Sequence, residues 1–208
     1  CLPTYLGAQS VFMQRYQEGN HSEELRRKIG PFLMRRLKKD VLSELPEKLE
    51  EVRYARFEDE QRKVYDGQVV RMKQLLMSPE SNGQDKIKIL AELTRLRQIC
   101  CDPSLILADY AGESTKRKAC MELVESAKNG GHRMLIFSQF TSMLALLEED
   151  LKQEDIPYYK ITGSTSKEQR LQLVKAFNEG DVPVFLISLK AGGTGLNLTG
   201  ADIVIHYD

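Results

Sequence analysis

Net charge is the first thing this sequence lacks. Across 208 residues, 30 Lys and Arg are matched by 30 Asp and Glu, giving a formal net charge of zero. A chain without bulk positive charge cannot hold nucleic acid by overall attraction, so any such contact must be local. No apolar run approaches the ~20 residues of a membrane helix, and no charged-then-apolar leader opens the chain. The expectation is a soluble protein with no membrane partner, cytoplasmic or nuclear. Cys1, Cys100, Cys101 and Cys120 form no CxxC pair, and His21, His132 and His206 stand far from them in sequence, which argues against a metal site. Cys100 and Cys101 fall in an apolar helical pattern, as buried thiols of a reducing compartment do, and a disulfide framework is not expected. The string G-x-x-x-x-G-K-[ST] occurs nowhere, and no acidic, metal-holding tetrad lies on a strand. The chain by itself is therefore not expected to hydrolyse ATP, and no catalytic residue is assigned to it.

What is present is a globular composition, 41% hydrophobic and 29% charged, long enough for one large domain or a medium one with a helical attachment. Charge is segregated locally. Leu25 to Lys39 carries Arg26, Arg27, Lys28, Arg35, Arg36, Lys38 and Lys39 with no acid, and Asp40 to Glu60 reverses the balance through Glu44, Glu47, Glu50, Glu51, Glu58, Asp59 and Glu60. Two readings stand: solvated helix faces that pair with each other, or a cationic cluster that meets a polyanion.

Residues 1–113 read as mainly helical. Glu58 to Met77 is a long amphipathic stretch ended by the breaker run from Ser78 to Gly83. Ile87, Leu90, Leu93, Leu96 and Ile99 then recur at a spacing of three, which predicts a helix with one apolar face, stopped by Asp102-Pro103. Leu49 to Phe57 alternates partly, as a strand or an extended crossing does. Residues 114–208 alternate helix and strand. A helix from Ser114 to Lys128 stops at Asn129-Gly130-Gly131, and the strands are Met134–Phe137, Tyr158–Ile161, Val184–Ile187 and Ile203–Tyr207. Helices from Thr141 to Lys152 and from Ser166 to Asn178 lie between them. This order predicts an α/β fold, a parallel sheet with helices on both faces, whose ligands sit beyond the carboxyl ends of the strands.

Three strands end in polar or glycine-rich loops: Ser138-Gln139-Phe140, Thr162-Gly163-Ser164-Thr165-Ser166, and Ser188 through Lys190-Ala191-Gly192 to Gly195. Hydroxyls, amides freed by glycine and a lysine are groups that grip phosphate oxygens. Ser166 also suits a helix N-cap. The last loop invites a dinucleotide-binding reading with Asp208 as the ribose acid. Only seven residues, Leu196 to Asp202, separate its last glycine from the next strand, where a crossover needs about a dozen, so that reading is rejected.

The segment VFLISLKAGGTGLNLTGADIVIHYD (Val184 to Asp208) closely resembles helicase motif V of the SWI/SNF-type (switch/sucrose non-fermenting) DNA-translocating ATPases. MLIFSQF (Met134 to Phe140) resembles motif IV of that family, and ITGSTSKEQR (Ile161 to Arg170) the segment between. FLMRRLKKDVLSELPEK (Phe32 to Lys48) and LTRLRQICCDPSLI (Leu93 to Ile106) are similar to its linker and helical insertion. The resemblance implies a RecA-like C-terminal helicase lobe at 114–208, truncated before motif VI, behind a helical linker and insertion region at 1–113.

It also implies, for the parent protein, ATP and magnesium as cofactors, and double-stranded DNA, an N-terminal RecA-like lobe and a DNA-bound protein target as partners. By motif, Ser138, Gln139, Gly163, Ser164, Thr165, Ser188, Lys190, Ala191 and Gly192 would face DNA, and so would Arg35, Arg36, Lys38 and Lys39 of the linker. Gly195 and Asn197 would face ATP. Arg170 would touch DNA or brace its helix, and Asp208 would order the motif V loop. The implied function is the second motor lobe of a double-stranded DNA translocase. The alternative is a non-catalytic interaction module that docks a protein through its helical half.

Overall fold

Val184-Phe185-Leu186-Ile187 is apolar at every position, the pattern of a strand covered on both faces, and in the fold it is a fully buried central strand. The computed structural model describes residues 5–17, 21–34, 49–77, 83–192 and 195–208. They fall into two compact units, Cys1–Val52 and Arg53–Asp208.

In the first unit, α1 (Gln9–Tyr16) and α2 (Ser22–Ile29) are followed by a single 3-10 turn, Gly30–Phe32. Neither helix buries a residue. They are joined by polar contacts: Arg15 reaches both oxygens of Glu24 at 3.0 Å, and Lys28 donates to the Tyr16 hydroxyl at 3.3 Å.

In the second unit, α3 (Asp59–Leu76) and α4 (Gly83–Cys101) lead into the alternating region of α5 (Thr115–Asn129), β1 (Met134–Ser138), α6 (Thr141–Gln153), β2 (Tyr158–Ile161), α7 (Lys167–Glu179) and β3 (Val184–Ser188). A one-turn helix α8 (Leu189–Gly192) and β4 (Ile203–His206) complete it. The sheet is parallel throughout, in the order β2-β3-β1-β4. Parallel neighbours need crossover helices, and these helices cover both faces. Met134, Ile136, Val184 and Leu186 turn to one face, against Cys120 and Val124 of α5 and Met143, Leu144, Leu147 and Leu151 of α6. Leu135, Phe185 and Ile187 turn to the other, with Ile161, Phe177 of α7 and Ala191 of α8. The predicted elements of this region appear within a residue or so of their expected ends. The exception is α8, which follows β3 directly where only a loop was expected.

The helical half departs from the sequence reading in two places. Helix α3 is amphipathic as expected, and it runs antiparallel to α4: Gln61 donates to the Ile99 carbonyl at 2.8 Å near one end, and Gln68 contacts Glu92 further along. The apolar face predicted for α4 is not one face. Ile99 is buried and Leu96 half-buried, but Ile87, Leu90 and Leu93 are exposed. A spacing of three falls short of the 3.6-residue turn, so such a row drifts around the helix. The inward position between Ile89 and Leu96 is instead Glu92, buried and paired with Arg95 at 2.9 Å. Leu49 to Phe57 forms neither helix nor strand, and Leu49, Val52 and Tyr54 are exposed. Of the two options left open there, the strand is excluded.

The end of α4 is tied to the sheet. The Cys101 carbonyl accepts from the Ser114 hydroxyl and from the Tyr207 hydroxyl, each at 2.9 Å. Cys101 and Cys120 are buried free thiols, and burial pushes each up to about 12; Cys100 is half-buried.

Candidate nucleic-acid interface at the carboxyl edge of the sheet

Because the strands are parallel, their carboxyl ends share one edge. Ile161 lies beside Ile187, and Ser138 beside Ser188. The three loops singled out in the sequence therefore leave β2, β3 and β1, three neighbouring strands about 4.8 Å apart.

The loop after β1 is internally satisfied. Ser138 is fully buried, and its hydroxyl accepts from the Phe140 amide at 3.1 Å. Asp208, just past β4, accepts from the Gln139 amide with both carboxylate oxygens, at 3.2 and 3.1 Å. Asp208 thus orders the β1 loop, and among the described residues no hydrogen bond joins it to the motif V loop expected for it, because β4 pairs with β1 and its end emerges there.

The loop after β2 is more open. Thr165 closes it, its hydroxyl accepting from the Thr162 amide at 3.0 Å and its own amide donating to the Thr162 carbonyl at 3.2 Å. Ser166 caps α7 in a reciprocal capping box with Gln169. Gly163 and Ser164 are left exposed at the tip, and a Cβ at Gly163 would meet nothing within 4 Å.

After β3, Ser188 is 2% exposed and its hydroxyl has no hydrogen-bond partner among the described residues. Lys190 is exposed, and Ala191 packs inward. Gly192 lies so close to the sheet that a Cβ would stand 2.7 Å from Phe137 Cε1 and 3.2 Å from Ile187 Cγ2. Phe137 in turn stacks on His206, ring centroids 5.6 Å apart. Arg170 of α7 donates from Nη1 to the Ala191 carbonyl at 3.4 Å, so it braces more than its own helix.

Gly195 adopts φ +62° with open space where a Cβ would stand. Leu196 and Leu198 then pack on the α7 face of the sheet, which turns Gly195 and Asn197 outward. The Asn178 side chain holds this return, donating to the Asn197 carbonyl at 2.8 Å and accepting from the Gly200 amide at 3.0 Å. Asn178 lies near the end of α7, twelve residues past Ser166, or ~18 Å at 1.5 Å per residue. Gly195 and Asn197 thus belong to a segment that runs away from the phosphate-type loops. Arg35, Arg36, Lys38 and Lys39 lie outside the described residues, so the linker cluster is not placed. Among the described residues no three His, Cys, Asp or Glu side chains gather as metal ligands, and no helix is long and apolar enough to cross a membrane.

Residues 1–105 match the family model for the SNF2-related domain, and residues 115–208 the helicase conserved C-terminal domain. The chain belongs to the SWI/SNF-type family of helicase-like ATPases. It is similar to the chromodomain-helicase-DNA-binding protein 1-like of Mus musculus, 36% identical over 95% of this chain and 23% of that protein. The Sulfolobus solfataricus SWI2/SNF2 ATPase core in complex with dsDNA superposes with a TM-score of 0.71 at 30% identity, over 99% of this chain and 46% of that one. The C-terminal domain of a Sulfolobus solfataricus SWI2/SNF2 ATPase does so with a TM-score of 0.68 at 30% identity, over 74% of this chain and 69% of that one. The chain spans 20–24% of the length of the first curated relatives it matches. Its RecA-like sheet and its helical region therefore carry the family fold that the motifs implied.

Two residues of this edge went unassigned or misassigned in sequence. Asn178 precedes the end of an ordinary amphipathic helix, where nothing marks it as a clamp for a segment twenty residues on. The Asp208 contact depends on β4 lying beside β1, a strand order that alternation alone does not specify.

Proposed function

We propose that this chain is the second motor lobe of an ATP-dependent double-stranded DNA translocase, gripping the duplex by its phosphates along the edge formed by β2, β3 and β1. The observation that carries this reading is the convergence of three loops on one edge, with Gly163, Ser164 and Lys190 exposed there. Backbone amides, hydroxyls and one cation suit phosphate oxygens, which are the same at every base pair, so the grip is indifferent to sequence. Thr165 and Ser166 hold the β2 loop in shape. Ala191 and Gly192 seat the backbone from which Lys190 projects, and Ser138, Gln139 and Ser188 form the floor between. Arg35, Arg36, Lys38 and Lys39 of the linker are further phosphate contacts in this reading on the family motif alone.

Gly195 and Asn197 suit one wall of a nucleotide cleft: a left-handed glycine exposes backbone, and the asparagine amide offers both a donor and an acceptor. The sequence holds no phosphate-binding G-x-x-x-x-G-K-[ST], so the triphosphate grip and the magnesium ligands belong to an N-terminal RecA-like lobe of the same protein. ATP with magnesium, bound between the two lobes, would supply the free energy that closes and reopens the pair. The β3 loop has its Lys190 end on the DNA edge and its Gly195–Asn197 end on the cleft wall, so a shift of either end moves the other. In this division of roles, 114–208 is the motor lobe and 1–113 its linker and insertion. The DNA-bound target of such a motor is a protein complex on the duplex.

The test is Lys190→Ala in the full-length protein. DNA-stimulated ATP turnover should fall by about tenfold, the worth of one charge-assisted contact, with basal turnover changed much less. Equal loss of both activities would remove Lys190 from the DNA grip.

A further inference from the structure

We propose that Arg170 is a positioning residue that holds the β2 loop and the β3 loop as one phosphate-gripping surface, a role that rests on reading this edge as the DNA grip. Its backbone lies in the first turn of α7, directly after the first loop. Ser166 ends that loop and caps α7, and the Arg170 amide donates back to the Ser166 carbonyl at 2.9 Å, inside a turn fixed by the capping box with Gln169. Its side chain belongs to the second. Nη1 donates to the carbonyl of Ala191, and that carbonyl cannot retreat: Ala191 is 2% exposed, and Gly192 beside it abuts Phe137 and Ile187. Lys190 therefore projects from backbone held from below by the sheet and from the side by Arg170.

Arginine suits this span. Its planar guanidinium carries several fixed donors, so it can serve one carbonyl and still meet other groups, where lysine offers a single point charge. The sequence signal is present but ambiguous: an arginine four residues past a helix cap is on most surfaces a solvated side chain.

The experiment uses the full-length protein, wild type and Arg170→Gln, Arg170→Lys, Lys190→Ala and Arg170→Gln/Lys190→Ala. It measures duplex-DNA affinity at several salt concentrations, together with thermal melting. Arg170→Gln should weaken DNA binding by about tenfold, the scale of a charge-assisted hydrogen bond, and Arg170→Lys by less. The slope of log affinity against log salt should fall by no more than it does in Lys190→Ala, because Arg170 itself neutralises no phosphate. The double variant should bind no more weakly than Lys190→Ala alone, because Arg170 acts through Lys190.

A double variant whose slope falls by about one more than that of Lys190→Ala would make Arg170 a direct phosphate contact and overturn the proposal. So would losses that add in the double variant, or a lower melting temperature with unchanged affinity. If Arg170→Gln does not fold, Arg170→Lys carries the same test: weakened binding that does not add to the Lys190→Ala loss supports the proposal, and wild-type affinity overturns it. A wild-type protein that does not bind duplex DNA at all would overturn the reading of the edge, and the role of Arg170 with it.

Discussion

Asp208 grips the amide of Gln139 with both carboxylate oxygens, at 3.2 and 3.1 Å, and so ties the end of β4 to the loop after β1. A negative charge on an edge proposed to bind phosphates is a cost unless it holds something in place, and here it holds the turn whose other amide, on Phe140, is taken by Ser138. Asp208→Ala leaves a half-buried amide without its acceptor, and the expected loss of stability is ~1–2 kcal/mol. Asp208→Asn keeps an acceptor oxygen and should lose less. Denaturant melts of the two variants check the ranking, and wild-type stability of Asp208→Ala would show that the carboxylate does not order the loop.

Two glycines of the same edge should behave oppositely. An alanine at Gly192 would drive a Cβ to 2.7 Å from the Phe137 ring, which is itself stacked on His206. Gly192→Ala should destabilise the protein by ~1–3 kcal/mol. Gly163→Ala meets nothing within 4 Å and should leave stability within ~0.5 kcal/mol of wild type. Its effect should appear in DNA affinity alone. A Gly163→Ala protein with normal DNA affinity would place the phosphates elsewhere than the β2 loop tip.

Acid should loosen the sheet at its β2 edge. Burial by itself would raise the Glu148 carboxyl, but the Lys160 ammonium, the Tyr158 hydroxyl at 2.6 Å and Lys152 at 3.3 Å outweigh it and hold the group at about 2, below the ordinary 4.5. A depressed carboxyl contributes stability that is fully present above its unfolded value and is lost as pH falls toward the folded one. The Glu148 contribution should therefore disappear between about pH 4.5 and about pH 2. Urea midpoints across that range should fall more steeply for wild type than for Glu148→Gln. Parallel curves would show that Glu148 is not preferentially charged in the folded state.

The alternating half of the chain was legible because its strands and helices repeat with different periods and end in recognisable stops. Ser114 and Ser166 are caps, and Asn129-Gly130-Gly131 ends α5. The helical half was less so. Glu92 sits inward on α4 because Arg71, Arg95 and Gln68 surround it, and an ion pair with residues on another helix leaves no periodic trace. At the candidate edge, the residue types were legible but their hydrogen-bond state was not. Ser138, Ser188 and Lys190 are three polar residues at two strand ends, yet the first is buried with its hydroxyl engaged, the second is buried with no partner among the described residues, and the third is exposed. Which is which follows from the order β2-β3-β1-β4 and from Arg170 and Asp208, contacts that bridge 21 and 69 residues.

ATP turnover with and without duplex DNA, measured side by side for residues 1–208 and for the full-length protein, tests the central claim most directly. A split motor site predicts no turnover by the 208-residue chain with or without DNA, and turnover by the full-length protein that rises when duplex is added. Turnover by the 208-residue chain alone, or a full-length protein whose turnover ignores DNA, would contradict it.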